Sequence, residues 1–322
     1  MDKTSSKTIK AGFVMLQIDR ITPAKDTSLA LMLAAQQQGW QMDYIGIEDL
    51  WVDAGQPGCY ASSVEVWDNP DKWFALQERR QVPLKEYDVI FIRIDPPVNN
   101  DYIYATQILD MAKSDGVLVV NSPAAIRDFN EKICATKFPQ LMPRHLLSAD
   151  IGQLIGFHND NEATVFKPLD AMGGSGIFLV KKGDMNLRSV VEGLTGGGKH
   201  LAMAQEYIPD ILKGGDNRVV MFEGEPYPKM LARLTSDGDF RANLAVSGNY
   251  LVKDLGEKEA AICEQVAPMM KEHDISFAGL DIIGGYLSEI NLTCPTGLRQ
   301  IAAHHNENPA SFYISKIAAR LR

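Results

Sequence analysis

The 322-residue sequence predicts an α/β fold that turns to α+β in its C-terminal part. Three patterns carry this. Buried strand runs alternate with helical spacing as far as Val120, a small-residue loop then sits between two apolar runs, and beyond it strands come as glycine-turned hairpins.

In chain order, Ala11 to Ile18 is a buried strand, Ser28 to Gly39 has helical spacing with a glycine stop, and Gln41 to Ile45 is the next strand. Residues 51–86 read as irregular, broken by Pro57-Gly58 and Asn69-Pro70, with Trp67, Trp73 and Phe74 as packing anchors. Asp88 to Ile94, a helix from about Asn100 to Lys113, and Gly116 to Val120 complete a small doubly wound domain, 1–123. Its ligands are expected beyond the carboxyl ends of strands. Arg93 and Asp95 stand at one such end, in RIDPP, where the arginine either forks a substrate carboxylate or pairs locally with Asp95.

From Pro123 the character shifts, and two further units are expected, 124–204 and 205–322. Ala124 to Phe138 reads as one helix carrying Asn130-Glu131-Lys132, and Asp150 to Phe157 as another. The stretch TVFKPLDAMGGSGIFLV, Thr164 to Val180, is strand, loop, strand. Glycines there let backbone N–H groups converge on one point, and Lys167 at the strand exit makes such a nest suited to polyphosphate oxygens. The spacing fits neither a P-loop nor a dinucleotide fingerprint, because a strand and not a helix follows the glycines. Lys132 is either a solvated helix lysine or a second clamp. Leu201 to Ile208 is a strand whose end, Gln205-Glu206-Tyr207-Ile208, suits an adenine edge.

Asp216 to Phe222 and Lys229 to Leu234 form a hairpin, followed by the flexible stretch Ser236 to Asn249. Arg233 and Arg241 flank it, either neutralising reaction charge or lying as surface charges of a solvated loop. Glu257 to His273 is an amphipathic scaffold helix. In GLDIIGGYLSEINLTCPTG, strand alternation puts Glu289 and Asn291 on one face, and Asp281 of the partner strand reaches it. Three oxygen donors without histidine or thiolate suit Mg²⁺, the alternative being an exposed acidic hairpin. Cys294 is expected to be a packed thiol, and His304-His305 to lie in a scaffold helix.

Composition excludes several classes. With 45% hydrophobic and 23% charged residues the chain is ordinary for a globular protein, and a net charge of −9 argues against a protein built to neutralise nucleic-acid phosphates or anionic membranes. The four scattered cysteines and the polar first ten residues, without the apolar core of a signal peptide, lead us to expect reduced thiols in a cytoplasmic protein. No run of about 18 apolar residues occurs, so no membrane span is expected.

Taken together, RIDPP, RDFNEK (Arg127 to Lys132), KPLDAMGGSGIF, GDNRVV (Gly215 to Val220), LAR followed by RANLA (Leu231 to Arg233, Arg241 to Ala245) and the Gly279 to Gly297 stretch resemble the ATP-grasp superfamily, and within it the prokaryotic glutathione synthetases. The resemblance implies an ATP-grasp fold preceded by a Rossmann-like domain, and a ligase joining γ-glutamylcysteine to glycine through an acyl phosphate. It implies ATP with Mg²⁺ (or Mn²⁺) on Asp281, Glu289 and Asn291. Lys132, Lys167, Arg218, Gly173, Gly174, Ser175 and Gly176 would hold phosphates, Gln205 to Ile208 the adenine and Asp216 the ribose. Arg233, Arg241 and Lys167 would act on the reacting groups, and Arg93, Asp95, Asn243, Thr296 and Arg299 on the peptide. A homo-oligomer, usually a tetramer, is also implied.

Three places depart from the family pattern: Leu16-Gln17 stand where an acidic residue and proline follow the first strand, the stretch Val246 to Tyr250 is less glycine-rich, and Gln300 replaces a glutamate. These bear on the substrates, so a related ligase with a different acceptor amine is the alternative, and a non-catalytic nucleotide sensor a further one.

Overall fold

Lys10–Met15 (β1) is flanked in parallel by Gln41–Gly46 (β2) and Val89–Arg93 (β7), with Leu118–Val120 (β8) parallel to β7. These are the four predicted runs, and their near-continuous apolar character is what a sheet covered on both faces requires. The computed structural model describes residues 8–236, 238–242, 248–304 and 308–322.

The expectation of irregular chain at 51–86 is wrong. Leu50–Asp53 (β3), Gln56–Val66 (β4), Phe74–Leu76 (β5) and Arg80–Pro83 (β6) are antiparallel strands, and β4 carries the ribbon into the main sheet by pairing with β2. Pro57 and Gly58, which read as breakers, sit at the start of β4 near the sheet's edge, where a missing side chain is useful: a Cβ on Gly58 would lie 2.1 Å from the Trp51 ring. Helix α1 (Thr27–Gln37) is capped by Asp26, and α2 (Asn100–Ser114) by Asn99.

The single helix expected over 124–138 is two, α3 (Pro123–Asp128) and α4 (Glu131–Ala135). Asn130 is extended and its side chain accepts from the N–H groups of Lys132 and Ile133, so it starts a new helix instead of continuing the old one. The restart aims Lys132 and Glu131 away from solvent.

A second, antiparallel sheet holds His145–Ser148 (β9), Ala163–Pro168 (β10), Phe178–Lys181 (β11) and Ala202–Glu206 (β12), in the order β11-β10-β12-β9. Helices α5 (Ile151–Asn159) and α6 (Leu187–Thr195) cover one face of it over Leu154, Phe166, Val191 and Ala204. After the short α7 (Ile211–Gly214), the third sheet comprises Asp216–Phe222 (β13), Glu225–Arg233 (β14), Tyr250–Asp254 (β15), Phe277–Ile283 (β16) and Tyr286–Asn291 (β17), all antiparallel, in the order β15-β14-β13-β16-β17. Helices α8 (Glu257–Glu272), α9 (Leu298–Ala302) and α10 (Pro309–Arg320) pack against the third sheet and, through α10, against α1.

Aromatic packing joins the first and third sheets. Phe13 stacks on Phe91 at 4.7 Å, Phe91 meets the edge of Tyr313 at 6.3 Å, and Tyr313 stacks on Phe222 at 5.0 Å. Asn121, at the end of β8, donates to the carbonyls of Phe277 and Leu292, so the first domain grips the strands that carry the acidic hairpin. The four cysteines are free, three of them fully buried. Among the described residues no helix is long and apolar enough to cross a membrane.

Candidate active site

On β13, Asp216 and Arg218 are two residues apart and share a face. The register places Asp216 opposite Arg233 on β14 and Arg218 opposite Asp281 on β16, while Asp281 in turn faces Glu289 on β17. One line of charge therefore crosses four strands. Arg233 Nη2 lies 2.6 Å from Asp216 Oδ2 and 2.9 Å from Asp281 Oδ2, and Arg218 Nη2 donates to Asp281 Oδ2 at 3.0 Å. Asn291 Nδ2 is 3.2 Å from Asp281 Oδ2, which completes the predicted trio of oxygen-bearing side chains. Gly279 makes room for the pairing, since a Cβ there would lie 2.8 Å from Arg218 Cδ.

A bulge adjusts the last strand. Asp281 pairs with Glu289 but Ile282 pairs with Leu287, so Ser288 is the extra residue and both Ser288 and Glu289 reach the cleft. Lys167 Nζ, at the end of β10, donates to Ser288 Oγ at 3.3 Å, and Lys132 Nζ stands 3.2 Å from Glu289 Oε1 and donates to the Ala171 carbonyl at 2.8 Å. The second sheet thus meets the third over the acidic hairpin. Glu131 holds the hairpin's exit, its Oε1 accepting from Leu292 N, Thr293 N and Thr293 Oγ1.

Three of the compartments in the space between adjoin one another through shared lining residues. The first, a cleft of about 760 Å³ including its mouth, is walled by Val165, Ile177, Ile211, Ile283 and Tyr286, with Gln205 to Ile208 along one side and Lys132, Lys167, Asp216, Asp281 and Glu289 at its floor. An apolar slot ending in cations and carboxylates suits a flat heterocycle with an anionic tail. The second shares Lys132, Asp281 and Glu289 with the first and adds Gly173, Gly174, Arg218, Arg233, Asn291 and Thr296. The third shares Asp95, Met172, Cys294 and Thr296 with the second and opens toward the end of β1.

Protonation follows from this crowding. Burial drives the Lys167 ammonium down to about 8, against the pull of Glu289 and with the push of Lys132. Burial alone would raise Asp281, but Arg218 and Arg233 together hold it well below the usual carboxylate range. Asp216 is raised by burial, which Arg233 only partly offsets. The Asp281 carboxylate, with the oxygens of Glu289 and Asn291, is a hard donor set of the kind Mg²⁺ or Mn²⁺ takes.

Most of the predicted site residues converge here, and the exceptions are informative. Gly173 and Gly174 line the second compartment and, with Gly176, have positive φ; Ser175 closes their turn by donating its N–H to the Met172 carbonyl at 3.2 Å. Arg241 lines the first compartment and donates to the Gly174 carbonyl at 3.1 Å, tying the two loops together. Arg93 does not pair with Asp95 as a simple ion pair: it is buried, donates to Ser28 Oγ at 3.1 Å and to the Pro295 carbonyl at 2.9 Å, and still contributes to the wall of the third compartment. Arg299 is elsewhere. Helix α9 directs it to the exposed Asp68, 2.6 Å away, with the arginine side chain itself 17% exposed, and it lines none of the three compartments. Asn243 lies outside the described residues, as does His305; His304 follows α9 instead of sitting within a helix. Ser288, Tyr286 and Glu131 are site residues the sequence reading does not single out; an asparagine N-cap at Asn130 ahead of Glu131 is the local signal that could have found one of them.

With this geometry established, comparison with known proteins is decisive. The sequence model of the prokaryotic glutathione synthetase N-terminal domain matches residues 9–127, and that of the prokaryotic glutathione synthetase ATP-grasp domain matches residues 131–306. The chain belongs to the prokaryotic glutathione synthetase family. It is 41% identical to a glutathione synthetase of Pseudomonas syringae pv. tomato over 98% of each chain, and 42% identical to one of Photorhabdus laumondii over 92% of this chain and 93% of that one. Among solved structures, a D-cycloserine synthetase superposes with a TM-score of 0.67 at 13% identity, covering 97% of this chain and 100% of that one. The D-alanyl-alanine synthetase A of Vibrio cholerae does so with 0.61 at 14%, covering 98% and 99%. These share the fold, an ATP-grasp domain preceded by an N-terminal α/β domain. Family membership makes the chain an ATP-dependent carboxylate–amine ligase of glutathione biosynthesis.

Proposed function

We propose that the chain joins the cysteinyl carboxylate of γ-glutamylcysteine to the amine of glycine, with ATP going to ADP and phosphate. The observation that carries this is that the three compartments adjoin along one charged floor, which lets a nucleotide and a small anionic donor meet end to end over Lys132, Arg233 and Glu289.

A carboxylate is a poor acyl donor. Its attack on the γ-phosphorus of ATP gives an acyl phosphate and releases ADP, and the glycine amine then displaces phosphate through a tetrahedral intermediate. Both steps accumulate negative charge on oxygen, so fixed cations aimed at the reacting centre lower the barrier. Lys132 on α4, Lys167 at the end of β10, and Arg218 and Arg233 on the neighbouring strands β13 and β14 supply that charge; the pairing of Lys132 with Glu289, of Arg218 with Asp281 and of Arg233 with Asp216 and Asp281, and the Lys167–Ser288 hydrogen bond, keep them in place beforehand. Gln205 to Ile208 and Asp216 take the adenosine end, and the glycine loop takes phosphate oxygens on its N–H groups. Asp281, Glu289 and Asn291 would hold Mg²⁺ or Mn²⁺, which supplies positive charge to phosphate oxygens when bound. Acyl phosphates hydrolyse readily, and the Arg241–Gly174 contact supports a lid role for the two loops it joins, keeping water out.

Free, mostly buried thiols fit a cytoplasmic setting, and homotetramer assembly is the family-based expectation, checked by sedimentation. The test of function is phosphate release from ATP and Mg²⁺ with γ-glutamylcysteine, with and without glycine, beside Glu289→Ala. Release that needs both substrates and disappears in the variant supports the reading. Release with the dipeptide but indifferent to glycine would keep the ligase chemistry and replace the acceptor; no release with any carboxylate would leave a nucleotide-binding protein without ligase activity.

A further inference from the structure

Consecutive residues of a regular strand face opposite sides of the sheet, so in an unbroken β17 only one of Ser288 and Glu289 would reach the cleft. The bulge opposite Asp281 and Ile282 breaks that alternation, and both residues line the first compartment. Each of them meets one lysine. Glu289 Oε1 stands 3.2 Å from Lys132 Nζ, while Ser288 Oγ accepts from Lys167 Nζ at 3.3 Å. Lys167 is only 5% exposed, and among the described residues the Ser288 hydroxyl is its hydrogen-bond acceptor. An ammonium carries three N–H donors, so two of them are left for the oxygens of a ligand.

Crowding at a bulge would account for a serine lying near a lysine. It does not account for where the two come from or for the kind of partner each lysine has. Lys167 belongs to the second sheet and Ser288, 121 residues later, to the third, so their contact spans the cleft. A lysine stem has many rotamers, and an acceptor fixed on the facing wall holds its tip in one place before a ligand arrives. The partners also differ in charge. Glu289 neutralises Lys132 and belongs to the donor set suited to Mg²⁺, whereas a hydroxyl orients an ammonium without cancelling its charge. Lys167 therefore keeps its electrostatic pull on an anion.

We infer that Ser288 is a positioning residue for the nucleotide phosphates: brought into the cleft by the bulge, its hydroxyl holds the Lys167 ammonium across the gap between the second and third sheets, charged and with two donors free. The inference rests on the reading of the first compartment as the nucleotide's. It separates the two lysines by mechanism. Lys132 depends on a carboxylate that a bound cation would draw away, and Lys167 on a neutral oxygen outside that donor set, so Lys167 stays in place whether or not metal is bound. Ser288 then matters to phosphate binding even without metal.

The experiment measures the Kd of ADP and of adenosine by titration calorimetry in excess EDTA, so that no metal contributes. Ser288→Ala, and Ser288→Cys, which keeps the volume and weakens the acceptor, are expected to raise the Kd of ADP about fivefold or more, as for the loss of a hydrogen bond to a charged group. Adenosine, which has no phosphate, stays within about twofold, since Ser288 acts through the phosphate lysine. Ser288→Thr keeps the hydroxyl and restores ADP binding. In a Lys167→Met background Ser288→Ala adds nothing further, because the pair acts as one unit. An unchanged Kd for ADP in the alanine and cysteine variants overturns the inference. So does adenosine weakened as much as ADP, which would mean a distorted cleft, or an effect that persists beside Lys167→Met, which would put the hydroxyl on the nucleotide itself. None of these readouts involves ligation, so their failure leaves the proposed function standing. Conversely, an unaltered protein that does not join γ-glutamylcysteine to glycine overturns that function and leaves the Ser288 result intact.

Discussion

Arg218 and Asp281 face each other across neighbouring strands, each less than a tenth exposed, and Asp281 is shared with Arg233 at 2.9 Å. Two buried guanidiniums on one carboxylate leave no slack. Asp281→Asn removes the charge that compensates both, and breaking a buried pair in this way costs about 3–5 kcal/mol. Urea denaturation is expected to show a loss of that size, with ligase activity abolished. Arg218→Met in the same background should cost much less than it does alone, because the charge it removes is by then uncompensated.

Lys167 makes nucleotide binding sensitive to pH. Folding lowers its pKa from 10.5 to about 8, with Glu289, Lys132, Asp216 and Asp281 as its charged neighbours. Between those values the unfolded chain binds a proton that the folded chain does not, so this group's contribution to stability rises as pH rises through the window and is lost as pH falls back through about 8. Polyphosphate binding prefers the charged amine. The ATP dissociation constant is therefore expected to climb as pH rises past about 8, and Lys167→Met, weak at all pH values, should lack that climb in a titration by calorimetry.

Glu131 ties α4 to the end of β17 through three hydrogen bonds to one oxygen. Glu131→Ala leaves two backbone N–H groups and a hydroxyl without that acceptor and is expected to lower unfolding free energy by about 3 kcal/mol. Loss of activity in excess of the unfolded fraction would follow from release of the Asn291 to Thr293 segment, and measuring both on the same sample separates the two effects.

Gly279→Ala tests whether register alone is enough. The added methyl would lie 2.8 Å from Arg218 Cδ, so the arginine must move off Asp281. Activity should drop by at least about tenfold, by the loss of about 1.4 kcal/mol of transition-state stabilisation, while β16 itself persists in circular dichroism.

Arg299→Ala separates the resemblance from the geometry. The family pattern assigns this residue to the peptide, but its guanidinium pairs with Asp68 at the surface. KM for the donor is expected to stay within about twofold, as for a surface pair worth about 1 kcal/mol or less. A tenfold rise would restore it to the substrate site.

Much of this protein was legible as a string because the signals are local. Strand, glycine loop and strand over 163–181, the hairpin that begins at Asp216, and Glu289-x-Asn291 follow from periodicities of two and from glycines whose positive φ the structure bears out. The sequence alone determined the fold and the family, and it marked the side chains that are proposed to bear the chemistry. The edge ribbon at 50–83 escaped it because β4 carries proline, glycine and serine and is exposed at intervals, so its period is blurred. Register, bulge and the direction of short helices were decided only by the tertiary structure: that Arg218 meets Asp281, that Ser288 joins Glu289 in the cleft, that α9 sends Arg299 to Asp68 and Gln300 to the third compartment. The physical reason is that pairings such as Arg218–Asp281 and Arg299–Asp68 join residues 63 and 231 positions apart in the chain, and their energies come from packing and charge pairing across the fold and leave no trace in the local pattern of either segment.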